Sequence, residues 1–326
     1  MKKALITGAT GFIGSHLTEY LIKKGFNVIA FDRYNSNNDW GWLERSQYKN
    51  DFQVMLGDIR DYDSVSKAMV GCDAVFHLAA LIGIPYSYVS PLAYIRTNIE
   101  GTYNVLESAK NLNIEQVLIT STSETYGTAQ YVPIDEKHPL VGQSPYSASK
   151  IAADQLAISY YKSFELPVKI VRPFNTYGPR QSARAIIPTI ISQILNGKTE
   201  INLGSLSPTR DLTFVKDTCS GFEEIYKSET LFGEVTNIGV KTEISIGELA
   251  KLIANTMNIE VTIKSSAERI RPENSEVERL FCDNTKLLKH TSWKPNYTFK
   301  QGIGEVIEWM KKPENLNYFK FDKYNV

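Results

Sequence analysis

Glycines at 8, 11 and 14, in the run Gly8-Ala9-Thr10-Gly11-Phe12-Ile13-Gly14, constrain this chain more than any other feature. They follow an apolar run, 4–7, and open a helical pattern, 12–24. Glycine lets a backbone turn tightly and lets a pyrophosphate approach it closely. The helix behind such a turn offers unpaired N–H groups and a favourable dipole to an anion. A glycine triplet alone is weak, because plain strand–helix turns also carry one. Here the next apolar run, 28–31, ends in Asp32. A carboxylate there accepts the ribose hydroxyls of NAD and repels the 2′-phosphate of NADP. Arg33 works the other way, since arginine pairs with that phosphate, but the expectation is NAD. Asp58, in Gly57-Asp58-Ile59-Arg60, follows the third run. It either meets the adenine or caps the helix at 61–70.

The first half alternates apolar runs at 4–7, 28–31, 53–56, 74–78 and 116–120 with helical patterns at 12–24, 61–70, 91–111 and 146–164. That alternation predicts βαβ units and a parallel sheet. A strand at 168–171, a helix at 188–197, a helix at 217–228 and a strand at 235–238 continue it less regularly. Amphipathic helices at 244–257 and 299–310 lie outside the sheet. The expected fold class is α/β, a doubly wound parallel (Rossmann) sheet with a smaller α/β substrate domain. Its domains are 1–172 plus 211–243 for NAD, and 173–210 plus 244–326 for the substrate. Tyr318, Phe319, Phe321 and Tyr324 close the chain among lysines and are expected to pack on a surface.

The 36 basic and 36 acidic side chains cancel, so no global field recruits nucleic acid or an anionic membrane. Cys72, Cys219 and Cys282 are too scattered for a zinc site or a disulfide framework. No run approaches the roughly 18 apolar residues of a membrane span. The expectation is a cytoplasmic protein with no metal.

Tyr146-Ser147-Ala148-Ser149-Lys150 opens the helix at 146–164. The i, i+4 spacing puts Tyr146 and Lys150 on one face. Tyrosine is a poor base at neutral pH, but an adjacent ammonium favours the phenolate. Such a phenolate can take the proton of a sugar hydroxyl while hydride leaves the same carbon. The strand at 116–120 runs into Ser121-Thr122-Ser123-Glu124-Thr125-Tyr126-Gly127. Open α/β sheets bind ligands beyond the carboxyl ends of their strands, so Thr122 is placed to bond the same oxygen. Simple oxidation or 4-epimerisation needs no second acid–base group here. Glu124 could remove a carbon-bound proton beside a new ketone, or be a solvated loop residue. His77 reads as a packed histidine at a strand end.

Gly8–Gly14, His77–Ala80, Ser121–Gly127, Tyr146–Lys150 and Arg172-Pro173-Phe174-Asn175 together resemble the extended short-chain dehydrogenase/reductase superfamily, over nearly the whole chain. Thr122-Ser123-Glu124-Thr125-Tyr126-Gly127 looks like the NAD-dependent nucleotide-sugar 4,6-dehydratases. The run on to Arg180-Gln181-Ser182-Ala183-Arg184 is most similar to the legionaminic acid pathway dehydratases, the GDP-N-acetylglucosamine 4,6-dehydratase type. This resemblance implies NAD on Gly8, Gly11, Phe12, Ile13, Gly14, Asp32, Arg33, Asp58, Ile59, Leu78, Ala79, Ala80, Asn98, Tyr146 and Lys150. Thr122, Ser123, Glu124, Tyr146 and Lys150 would be catalytic. The partner would be a nucleotide-diphosphate sugar, held by Thr122, Asn175, Ile187, Pro188, Arg210 and Arg271, and the assembly a homodimer. The dTDP-glucose dehydratases carry Asp-Glu where this chain has Ser123-Glu124, while the GDP-mannose dehydratases have Ser-Glu as here, which leaves Glu124 itself or Ser123 as the acid. The nucleobase, guanine or uracil, is not encoded legibly; the strand at 201–203 is expected to pack against it. Two other functions remain open: a UDP-sugar 4-epimerase, and a non-catalytic NAD-binding redox sensor.

Overall fold

A computed structural model describes residues 1–322. Seven parallel strands form the central sheet. They are β1 (Lys3–Thr7), β2 (Asn27–Arg33), β3 (Phe52–Gly57), β4 (Ala74–His77), β5 (Gln116–Thr120), β6 (Val168–Pro173) and the strand Val235–Ile238. Their order is Val235–Ile238, β6, β5, β4, β1, β2, β3. The chain starts in the middle and winds outward both ways, so a crevice opens beyond β1 and β4, where the order reverses.

Both faces of the sheet are covered, which is why its strands read as unbroken apolar runs. Alternate residues serve opposite faces. Ala4, Ile6, Val28, Ala30, Phe76 and Leu118 join one core, and Leu5, Ile29, Val75, Val117 and Ile119 the other. Helices α1 (Phe12–Lys23), α2 (Tyr62–Met69), α3 (Ile84–Val89), α4 (Pro91–Tyr94), α5 (Gly101–Asn111) and α6 (Pro145–Phe164) connect the strands of this half. Ser144 and Ser147 close a capping box at the start of α6, with Pro145 in its first turn. This fixes where Tyr146 enters the site.

The single helix expected at 91–111 is interrupted. Between α4 and α5 the residues Ile95–Glu100 make a π turn. Such turns usually mark a place where a side chain is needed out of helical register. Here that side chain is Asn98, which bonds Leu81 and Ser149.

Lys169 on β6 is fully buried. Its ammonium donates to Gln116 Oε1 at 2.9 Å and to the carbonyls of Ile225, Tyr226 and Ser228 at 3.0, 2.8 and 2.5 Å. It thereby satisfies the open carbonyls at the end of the helix Val215–Lys227.

Beyond β6 the chain adds pieces too short to read from periodicity. Asn175–Tyr177 pairs with Leu212–Phe214, and Glu200–Leu203 with Thr262–Ser265. Thr209–Arg210 lies between Ile244–Ser245 and Arg279–Leu280. Helices Ile186–Leu195, Ile246–Thr256 and Phe299–Met310 pack on the same core as α1. Tyr318 leans on Trp42 at a tilt of 52°, and Phe319 meets Trp309 edge-on, so these two closing aromatics do pack on the surface. Tyr324 lies outside the described residues. Among the described residues, no helix is long and apolar enough to cross a membrane.

Candidate active site

The phosphate loop has the shape its glycines require. Gly8 sits at φ +71°, and a Cβ there would lie 2.8 Å from the Ala79 nitrogen. A Cβ on Gly14 would lie 2.1 Å from the Gly8 carbonyl oxygen. Gly11 caps α1 without any side-chain bond, which leaves the N–H groups of Phe12 and Ile13 free of side-chain acceptors. Leu78 and Ala79 run beside this loop, donating to the Thr7 carbonyl and hydroxyl at 3.1 and 3.2 Å. Ala80 follows, half-buried. A bare helix end behind a glycine cradle fits a dinucleotide pyrophosphate.

Asp32 ends β2 and is held by the loop. Its Oδ2 accepts from the Thr10 N–H at 2.8 Å and the Thr10 hydroxyl at 2.6 Å. Arg33 is exposed, and its charge acts on Asp58. The Arg60 guanidinium grips Asp58 at 2.5 Å and is the main reason its carboxyl titrates below the usual range. Asp58 does not cap the next helix. Asp61 does, accepting from the Asp63 N–H at 3.1 Å. Ile59 is buried, with its carbonyl bonded by Asn104. Asn98 spends both amide hydrogens inside the protein, on Leu81 O at 3.0 Å and Ser149 Oγ at 2.9 Å. His77 bonds Thr7 and Thr102 through its two nitrogens, and burial pushes it down to about 3, so it is a neutral packed residue.

Tyr146 and Lys150 are both buried. Burial holds the Tyr146 hydroxyl well above its ordinary value, the charge of Glu124 adds to this, and Thr122 beside it favours the phenolate. Burial also pulls Lys150 down, while Asp154 opposes it. The Lys150 ammonium donates to the Thr120 carbonyl at 2.6 Å. In the protein alone, burial therefore dominates the tyrosine's proton affinity. A cation bound beside the ring would favour the phenolate and so oppose burial.

Thr122 begins the short turn Ser123–Tyr126, accepting from the Glu124 N–H at 3.3 Å. Glu124 is only 8% exposed, so it is no solvated loop residue. Its charge acts on both Tyr146 and Arg210. Arg210 is buried and reaches Glu276 at 3.4 Å. Arg271 reaches the same Glu276 oxygen at 3.3 Å. The two arginines thus flank one carboxylate and are not separate surface salt bridges. Asn175 presents a buried side-chain oxygen with no hydrogen-bond partner among the described residues. Ile187 has its side chain in the core, leaving its N–H in the uncapped first turn of Ile186–Leu195 as the group open to a ligand, beside Pro188. Ile201 and Leu203 also point into the core, so these two side chains are not open to a base.

Sequence reasoning missed Thr10, Glu276 and Asp154. Asp154 had a visible signal, since it stands eight residues after Tyr146 on the same helical face. It bonds Ser121 and Arg172 behind the catalytic strand.

Residues 5–306 match the GDP-mannose 4,6 dehydratase family. The chain belongs to this family. Among relatives of this dehydratase-family enzyme, a dTDP-D-glucose 4,6-dehydratase of Dictyostelium discoideum is 37% identical over 78% of this chain and 62% of its own length. A dTDP-glucose 4,6-dehydratase from Streptomyces venezuelae, solved with NAD bound, superposes with a TM-score of 0.88 at 26% identity, covering 98% of this chain and 100% of its own. A UDP-glucuronic acid 4-epimerase from Bacillus cereus, in complex with UDP-glucuronic acid and NAD, gives 0.86 at 28% identity over 95% and 99%. The family enzyme is an NAD-dependent member of the nucleotide-sugar dehydratases and epimerases, with the expected Rossmann fold.

Proposed function

We propose that the enzyme catalyses 4,6-dehydration of a nucleotide-diphosphate hexose, GDP- or UDP-N-acetylglucosamine, to a 4-keto-6-deoxy sugar, as in legionaminic acid pathways. The observation that carries this reading is the buried carboxylate of Glu124, whose charge acts on both Tyr146 and Arg210. When bound, NAD supplies a reversible hydride acceptor. Tyr146 takes the proton of the 4-hydroxyl, with Thr122 bonding the same oxygen and Lys150 supporting the negative charge. The ketone acidifies the proton on C5, and Glu124 removes it. The C6 hydroxyl then leaves as water, protonated by Glu124 or by Ser123; the hydride taken from C4 would return to C6 and a proton to C5, giving the 4-keto-6-deoxy sugar with no net change in the dinucleotide. Asn175, Arg210, Arg271 and the Ile187-Pro188 backbone hold the nucleoside diphosphate; arginine forks suit phosphate oxygens.

In this reading the NAD-binding part is 1–172 plus 211–243 and the substrate part 173–210 plus 244–322 within the described residues. The enzyme works as a homodimer through α4, α5 and α6. Leu92, Ile95, Tyr103, Tyr161 and Phe164 leave apolar surface exposed there, whereas Leu106 is fully buried in the core.

A second reading, 4-epimerisation, is supported by the likeness to the Bacillus cereus epimerase. Incubation with GDP- and UDP-N-acetylglucosamine, without added reductant, separates the two. Dehydration yields a keto sugar and, in deuterium oxide, places deuterium at C5. Epimerisation yields only the C4 epimer. Glu124→Gln should retain oxidation while losing elimination by about 10²–10⁴-fold. Normal dehydration by that variant would remove Glu124 from the mechanism.

A further inference from the structure

The closing stretch of the chain reaches the phosphate loop through one intermediary, the turn Gly41–Arg45. On one side of this turn, the Trp42 N–H donates to the Thr10 carbonyl at 3.2 Å. Gly41 sits at φ +54°, and a Cβ there would lie 2.9 Å from the Thr10 carbonyl oxygen and 3.2 Å from its Oγ1. Thr10 in turn fixes Asp32 through both its N–H and its hydroxyl. On the other side, the Trp42 ring meets Trp309 at 5.4 Å and Tyr318 at 5.0 Å. Arg45 donates to the Glu314 carbonyl at 3.2 Å, to Asn315 Oδ1 at 3.4 Å and to the Tyr318 hydroxyl at 3.1 Å. Its guanidinium also lies over the Tyr318 ring at 5.2 Å. The stretch is itself anchored, because Asn315 and Phe319 are buried and Asn315 donates to the Trp309 carbonyl at 2.8 Å.

We propose that this C-terminal aromatic segment is a strap that sets how tightly NAD is held, with Trp42, Arg45 and Tyr318 as positioning residues. The segment between Asp32 and the turn, Asn35-Ser36-Asn37-Asn38-Asp39, has little of its own to hold it. Its bonds are local, such as Asn35 with Asp39 at 2.7 and 2.8 Å, and Leu43 is the buried side chain of the turn. A loop so weakly anchored would sample open forms, and each would free the Thr10 carbonyl from Trp42 and so loosen the hold of Thr10 on Asp32. Apparent affinity falls in proportion to the fraction of molecules ready to bind. The strap raises that fraction from outside the pocket. None of its contacts among the described residues involves Thr122, Glu124, Tyr146 or Lys150, so it acts on cofactor retention and leaves the sugar chemistry alone.

The test is exchange of bound NAD in the holoenzyme against isotopically labelled NAD, for Tyr318→Ala and Arg45→Met. Binding of GDP and UDP is measured in parallel by calorimetry. Tyr318 is largely exposed, so its loss spares the fold. Each variant should release NAD about five- to tenfold faster, with nucleoside-diphosphate affinity and kcat at saturating NAD unchanged. Tyr318→Phe, which keeps the ring and loses only the bond from Arg45, should fall between wild type and Tyr318→Ala. Exchange within about twofold of wild type in both variants overturns the proposal. So does an equal loss of NAD and nucleoside-diphosphate binding, which would mean general loosening.

Discussion

The Asp154 carboxylate meets the Arg172 guanidinium at 2.7 Å, with 0% and 1% of the two side chains exposed. Arg172 also donates to Ser121 Oγ at 3.1 Å and lies over the Tyr126 ring at 4.6 Å. The pair is the rear wall of the site, tying α6 to β5 and β6. Asp154→Asn leaves a buried guanidinium without its counter-charge. That change should cost about 3–5 kcal/mol, seen as a lower urea midpoint with an unchanged slope. A midpoint equal to wild type would show that the pair contributes nothing net.

The proton affinity of Tyr146 predicts a pH dependence. Burial, then the charges of Glu124 and Asp154, hold the hydroxyl protonated to higher pH than in a free tyrosine. The base form is the deprotonated one, so kcat/KM should rise with pH through the neutral and alkaline range. Glu124→Gln removes one of the opposing charges. The limb for the oxidation half-reaction, followed by NADH absorbance, should therefore move to lower pH. Movement to higher pH would contradict the electrostatic account. Tyr146→Phe should abolish every step.

Asp32 should govern the choice of dinucleotide. With its carboxylate fixed by Thr10, the wild type should prefer NAD. Asp32→Ala should narrow the gap to NADP in equilibrium titrations. Tighter binding of NADP by the wild type would mean that Arg33 governs the pocket.

Arg271 should act on substrate binding alone. It shares Glu276 with Arg210 at the edge of the site and touches no group assigned to the chemistry. Arg271→Ala should raise KM for the sugar nucleotide about tenfold, with kcat nearly unchanged. A fall in kcat at constant KM would move the residue into the chemical step.

The apolar surface on α4 to α6 should be covered in solution. Light scattering at micromolar concentration should give a dimer, and Ile95→Asp should give monomers of normal fold. A wild-type monomer would end the dimer reading.

The sheet was legible because strands buried on both faces must be apolar throughout. Glycines at 8 and 14 were legible because nothing larger fits against Ala79 and Gly8. Tyr146 and Lys150 were visible as a spacing. Contacts between distant segments were not. Glu276 stands five residues from Arg271 but 66 from Arg210, and only the folded chain shows that it serves both. Strands of two or three residues, such as Thr209–Arg210 and Leu212–Phe214, carry no period to detect. The π turn at Ile95–Glu100 was hidden because the sequence around it keeps a helical pattern, while the bonds Asn98 exchanges with Leu81 join distant segments. The capping alternative for Asp58 failed because an aspartate three residues further on is the better-placed cap.

Lys169 has a use outside catalysis. An amine enclosed by three carbonyls, an amide oxygen and the ring of Phe232 at 4.2 Å cannot meet an acylating reagent. It becomes reactive only when the end of Val215–Lys227 lifts from β6. Exposed lysines acylate at once, whereas Lys169 acylates at the pace of that opening. Peptide mass spectrometry of the unmodified chain therefore carries a clock for the far edge of the sheet, already wound into the native sequence.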